Sequence, residues 1–218
     1  MTDRADLAVI YAGGHGTRLL RVGEARRDKG AIEIAGRPLY SHVAERLAPQ
    51  GKQLAIIAPE QPDWFSQLPK GTTHIADVPG ANKRPTGPAG ALVEALRAGI
   101  AIAPDALVLT APIDSPFLPE DLYVRLREAL DASGAGAALV STRGKLHPVF
   151  SLWKASLFER VQTLVEVERV RALHLIASQI GAVEVMAWDD VKLPPPFLNI
   201  NTEDELMLAQ DLAHLLEP

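Results

Sequence analysis

The segment "LAVIYA" (residues 7–12) is a continuous apolar run that ends in glycines, the pattern of a strand buried on both faces of a parallel sheet. "QLAIIA" (53–58) and "ALVLTA" (106–111) repeat it. Between these runs apolar positions recur at helical spacing, in "PLYSHVAERLA" from Pro38 and in "PAGALVEALRAGIAIA" from Pro88. Each stretch opens with a proline suited to a first helical turn, so the alternation predicts βαβ units. A further helix is expected from Pro119 through "EDLYVRLREALDA", then a strand at 137–141. Another follows at 147–153, "HPVFSLW", whose proline points to an edge or a bend. Helical spacing returns at 155–165 and 168–180, residues 182–188 read as a strand, and 203–216 read as a closing helix.

No repeat, low-complexity tract or linker interrupts this series, and "KLPPPF" (192–197) reads as a stiff connection rather than a boundary. The chain of 218 residues is therefore expected to form one α/β domain over residues 1–218, with a mostly parallel sheet flanked by helices. Composition narrows its surroundings. No apolar stretch approaches the ~20 residues that span a bilayer, and "MTDRAD" lacks the basic and apolar regions of a signal peptide. The absence of cysteine removes disulfides, thiolate zinc sites and a cysteine nucleophile. These features predict a soluble, cytoplasmic protein without a membrane partner. A net charge of -5 also argues against nucleic acid, whose backbone calls for a basic surface. Local charge differs: Arg18, Arg21, Arg26, Arg27 and Lys29 fall within twelve residues, against Glu24 and Asp28. Such a segment suits a small polyanion such as a nucleoside triphosphate, although a solvated basic loop has the same composition.

Doubly wound sheets bind ligands beyond the carboxyl ends of their strands, and the candidate residues stand at those positions. Gly13, Gly14 and Gly16 follow the first run, where glycine lets consecutive N–H groups point at phosphate oxygens. There is no Walker lysine-serine pair, and Leu19 stands where a dinucleotide fingerprint needs its third glycine. Asp77 follows "HIA", and Asp114 follows "LVLTAPI". Fenced by Pro112 and Pro116, Asp114 is a rigid oxygen donor for a hard cation such as magnesium, which completes its shell with waters and phosphate oxygens. Gly87 and Gly90 bracket Pro88 at a helix start, where backbone N–H groups can meet an anion. Thr202 and Glu205 are spaced as a capping box, just after Asn199 and Asn201. His147 stands alone and is left outside the catalytic set.

In order along the chain, "YAGGHGTRL" with "DKG" and "GRPLYSHVAERL", then "PTGPAGALVEAL", "APIDSPFLPEDL", "HPVFSLW" and "NINTEDEL" resemble the molybdenum cofactor guanylyltransferase family. The resemblance spans nearly the whole chain. It implies a single-domain, Rossmann-like nucleotidyltransferase fold of glycosyltransferase-A type, a magnesium ion, GTP as substrate and a molybdopterin acceptor. The implied reaction transfers GMP from GTP and releases pyrophosphate. By the same resemblance Ala12, Gly13 and Gly14 lie against the nucleotide, Arg18 and Lys29 contact the triphosphate, Asp77 and Asn201 belong to the nucleotide site, and Asp114 carries the metal. The catalytic set is then Lys29, Asp114 and Arg18. Fixed cations lower the barrier because attack on the α-phosphorus builds negative charge on phosphate oxygens.

Two departures stand out: Tyr11 replaces the usual leucine, and "LLRVGEARR" makes the link from Arg18 to Asp28 longer than the family's "RMGG"-like one. They leave open transfer of another nucleotide to another phosphorylated acceptor such as a sugar phosphate, and a noncatalytic nucleotide-binding paralogue. A partner protein that delivers a labile cofactor also stays open.

Overall fold

The computed structural model describes residues 4–13, 28–77, 87–185, 187–189 and 193–216. In chain order the strands are β1 (Leu7–Tyr11), β2 (Glu33–Ile34), β3 (Arg37–Pro38), β4 (Leu54–Ala58), β5 (Thr73–Ala76), β6 (Leu107–Pro112), β7 (Ala137–Thr142), β8 (Lys145–Lys154) and β9 (Val183–Val185). The helices are α1 (Leu39–Leu47), α2 (Gly87–Ile102), α3 (Leu122–Ser133), α4 (Phe158–Gln162), α5 (Leu173–Gln179) and α6 (Glu203–Asp211). Every residue of β1, β4 and β6 is buried, as their unbroken apolar runs require. The central sheet has the order β5-β4-β1-β6-β8-β7-β9. From β5 to β6 all pairings are parallel, β8 runs antiparallel to both of its neighbours, and β7 pairs with β9 in parallel.

Helices cover both faces. On one side α1 and α3 bring Val43, Leu47, Leu126 and Leu130 against Ala8, Ile10, Ile56 and Leu109. On the other, α2, α4 and α5 bring Leu92, Leu96, Val161 and Ile176 against Leu7, Val9, Ile57 and Trp153. A third, smaller core joins Ile34 and Leu39 to Phe117, Ile200, Ala209 and Leu212, so that the hairpin, the turn after β6 and α6 pack together. Burying each large aliphatic side chain contributes about 1.5–3 kcal/mol. This third core therefore holds residues around 200 beside the carboxyl end of β6.

Several boundaries depart from the periodic pattern for local reasons. Pro38 occupies the cap position of α1 rather than its first turn. The start of α3 is delayed to Leu122, because turns at Ser115–Leu118 and Pro119–Leu122 use up the preceding residues. The stretch 155–165 divides into a 3-10 turn, α4 and one wide turn at Thr163–Val167. Arg169 has φ +62°, a left-handed conformation that a helix cannot continue through, so the expected helix at 168–180 shrinks to α5. The closing stretch splits into α6 and a 3-10 turn at Ala213–Leu215.

The edge expected from Pro148 is corrected: β8 lies between β6 and β7. Leu139 pairs with Ser151 but Val140 pairs with His147, so Pro148, Val149 and Phe150 bow out of the ladder. A proline there forfeits no ladder bond, and the Thr110 hydroxyl donates to the freed carbonyl of Val149 at 2.6 Å. Among the described residues no helix is long and apolar enough to cross a membrane.

Candidate active site

Just past β6, the backbone N–H of Ile113 donates to the Tyr11 carbonyl at 3.0 Å, which extends the sheet by one rung and delivers Asp114 beyond its edge. The Asp114 carbonyl accepts from the N–H of Ile200 at 2.9 Å, and the Ser115 hydroxyl donates to Asn199 Oδ1 at 2.6 Å. These two bonds fasten the segment before α6 against the aspartate. Asn201, two residues beyond Asn199 in that segment, reaches the ammonium of Lys29.

Lys29 is the hub. Its Nζ forms an ion pair with Asp114 Oδ2 and donates to Asn201 Oδ1 at 2.7 Å. Lys29 and Asp114 are only 8% and 7% exposed, so the pair is shielded from water. An ammonium has three N–H groups, and among the described residues two are accounted for. On the carboxylate, Oδ1 is buried with no hydrogen-bond partner among the described residues. One donor direction and one anionic oxygen thus remain for a ligand. Lys29 opens a 3-10 turn whose cap is Asp28: Asp28 Oδ1 accepts from the Gly30 N–H at 2.9 Å, and Oδ2 accepts from Trp64 Nε1 at 2.6 Å.

Asn201 is braced from the other direction. The Thr202 hydroxyl accepts from the Glu205 N–H, and Glu205 Oε2 accepts from the N–H groups of both Thr202 (2.9 Å) and Asn201 (2.7 Å). The expected capping box is present.

A second group stands past β1 and β5. The Ala12 N–H is spent on the Ile57 carbonyl at 2.8 Å, so the amide available for a phosphate begins at Gly13. A Cβ added to Gly13 would lie 3.2 Å from Asp77 Oδ2, which places Asp77 directly beside this backbone. Among the described residues Asp77 Oδ1 is buried without a partner. Burial, and then the nearby negative charge of Glu94, push the Asp77 carboxyl above its ordinary range. Gly14 and Arg18 lie outside the described residues. Gly87 begins α2 with φ +61°, so a helix amino terminus opens at this end of the molecule.

A cleft of about 230 Å³ opens beside Asn199 and Asn201, lined also by His147, Phe150 and Phe197. It adjoins a second of about 350 Å³ that His147 and Phe197 share with Thr142, Arg143 and Trp188. Phe197 packs edge-on to Phe150 (4.8 Å) and Trp188 (5.2 Å), giving the cleft a rigid aromatic floor. His147 Nε2 lies 2.7 Å from the Thr142 hydroxyl, and burial lowers its pKa, so the imidazole is neutral at pH 7. The arrangement offers a cation, a carboxylate and an amide next to an open, aromatic-floored recess. Sequence reasoning set His147 aside as a lone histidine and passed over Trp64. The only local signal for His147 is the proline that follows it, and Trp64 stands in "PDWFS" with no motif around it.

A model of the MobA-like NTP transferase domain matches residues 8–182. A molybdenum cofactor guanylyltransferase from Cereibacter sphaeroides is 35% identical, over 94% of this chain and 95% of its own length. One from Rhizobium meliloti (strain 1021) is 33% identical, over 96% and 93%. Among solved structures, the fold is similar to molybdopterin-guanine dinucleotide biosynthesis protein A from Archaeoglobus fulgidus, with a TM-score of 0.73, 20% identity, and coverage of 96% of this chain and 99% of that one.

Proposed function

The chain belongs to the MobA-like NTP transferase family and is a nucleotidyltransferase, and we propose that it transfers GMP from GTP to molybdopterin with release of pyrophosphate. The observation that carries this reading is the buried Lys29–Asp114–Asn201 constellation at the carboxyl end of β6. A terminal phosphate oxygen of the acceptor attacks the α-phosphorus of GTP. The new P–O bond forms as the bond from the α-phosphorus to the α,β-bridging oxygen breaks, and the electron pair leaves on pyrophosphate. The acceptor is already an anion at neutral pH, so no general base is needed.

Lys29 supplies a fixed positive charge for the phosphate oxygens on which charge develops. The Gly13 amide, joined in this reading by Gly14 and by Arg18, receives the remaining phosphates. Asp77, beside Gly13, faces the nucleoside end. The aromatic-floored recess at Phe197 and His147 takes the planar pterin. Asp114 is the residue that would hold magnesium: its Oδ1 is buried and has no partner among the described residues, and one carboxylate suffices for an ion that otherwise prefers waters and phosphates. Among the described residues no group of three or more histidine, aspartate or glutamate side chains competes for that role. When bound, magnesium screens phosphate charge and orients the triphosphate.

The test incubates purified protein with GTP, magnesium and molybdopterin and follows dinucleotide and pyrophosphate together. Both should form with GTP in preference to ATP, CTP and UTP, and Lys29→Ala should abolish them. No dinucleotide with any of the four nucleotides, while an active family member succeeds under the same conditions, would discard the reading.

A further inference from the structure

Resting on that reading of Lys29, we propose that Trp64 is a positioning residue for the transfer reaction, acting through Asp28 to hold the Lys29 ammonium on Asp114. Trp64 lies in the connection between β4 and β5, in a 3-10 turn at Asp63–Gln67, thirty-six residues from Asp28 and outside every motif of the nucleotide site. It is 6% exposed, and its ring grips the turn that carries Lys29 in two independent ways. The indole N–H donates to Asp28 Oδ2 at 2.6 Å while Asp28 Oδ1 caps the Gly30 N–H at 2.9 Å. One carboxylate thereby fixes both sides of the peptide that carries Lys29. The ring also sits on Gly30 so closely that a Cβ there would lie 2.7 Å from Cζ2, and 3.3 Å from Ile113 Cγ1. Gly30 thus sits against both Trp64 and the residue that precedes Asp114.

The clamp is itself anchored. Trp64 stacks on Tyr40 of α1 with ring centroids 4.4 Å apart and planes 4° from parallel, and the Tyr40 hydroxyl donates to Gln67 in the same 3-10 turn. A flexible lysine side chain has four rotatable bonds, and its ammonium is useful only where the phosphate charge develops. The ring and the N–H divide the work: stacking secures the turn, and the single hydrogen bond sets the orientation of Asp28 and hence the register of Lys29.

Trp64→Phe keeps a ring on Tyr40 and Gly30 but removes the N–H. Because a displacement near 1 Å at a reacting centre costs on the order of 100-fold, kcat should fall at least about tenfold, with the KM for GTP changing by less than about threefold. In protein labelled with 15N-lysine, the Lys29 ammonium resonance should shift or broaden in parallel. If Trp64 acts through Asp28, Trp64→Phe should cause no further loss in an Asp28→Ala background. Should Trp64→Phe fold poorly, replacing Trp64 with β-(3-benzothienyl)alanine removes the N–H at nearly constant shape and decides the same question. Wild-type kcat with an unmoved Lys29 signal, or full additivity with Asp28→Ala, overturns the proposal. Lys29→Ala with undiminished transfer would instead overturn the reading of the site, and the ammonium signal would still decide whether Trp64 positions that lysine.

Discussion

Asp114 and Asp77 are the same side chain in comparable places, each just beyond the carboxyl end of a parallel strand of one sheet, yet their surroundings are opposite. Asp114 is buried against the ammonium of Lys29, eighty-five residues away in the chain, and the asparagine at 201 shares that cation. Asp77 is partly buried, and among the described residues no cation pairs with its carboxylate; its charged neighbour is Glu94 on α2, and its carboxyl is pushed up rather than stabilised. A strand end decides where a carboxylate stands. Which distant residue folds against it decides whether it is an anchored anion or a carboxyl that retains protons more readily than usual.

The most severe way to break the contrast is to make Asp114 resemble Asp77. Lys29→Ala should reduce guanylyl transfer by at least about 100-fold, the scale seen when one charge-stabilising donor is lost. It should also lower stability by about 3 kcal/mol in urea titration, because Asp114 is left buried beside no cation. A fully stable variant would show that the pair is not the tie the geometry suggests.

Loosening the third partner has a smaller effect. Thr202→Ala removes the hydroxyl that caps α6 and, with it, part of the bracing of Asn201. A loss of about 1 kcal/mol is expected in urea or thermal unfolding, and no loss would mean that the Glu205 side chain alone secures the turn.

Asp77→Asn sharpens the contrast from the other side. A carboxyl whose folded pKa lies above its ordinary 3.8 stabilises the fold only while protonated, and that contribution is lost as pH rises through the raised value. Asp77→Asn should therefore be more stable than the parent at pH 7, by about 0.5 kcal/mol once partial solvation is discounted. The advantage should vanish as pH falls to about 3.8, and a constant offset across that range would contradict it. Smallest of all, Glu94→Gln should move the Asp77 carboxyl titration downward in a 13C NMR experiment, leaving the larger effect of burial in place.

Much of the scaffold was legible because the runs at 7–12, 53–58 and 106–111 have the pattern of strands covered on both faces. The helices between them carried an equally plain period. What local pattern could not reveal is direction. Nothing in "HPVFSLW" says that β8 inserts antiparallel between β6 and β7, and Pro148 was visible as a bend but not as a bulge in an interior strand. The hairpin of β2 and β3 has two residues per strand, too few to show alternation. In the site, Lys29, Asp77, Asp114 and Asn201 stood out by their motifs. That Lys29 bonds Asp114 and Asn201 depends on three segments meeting, and Trp64 was invisible because its partner Asp28 is reached only through the folded chain.

The tie between the Ile200 N–H and the Asp114 carbonyl bears on the order in which a polypeptide leaves the ribosome. Growth from the amino terminus delivers Lys29 and Asp114 early, together with all the parallel strands from β5 to β6, while Asn199, Ile200 and Asn201 come much later. A nascent chain can thus build its nucleotide-facing ledge yet lack the segment that latches it, so competence for chemistry waits for a stretch translated well after the ledge itself.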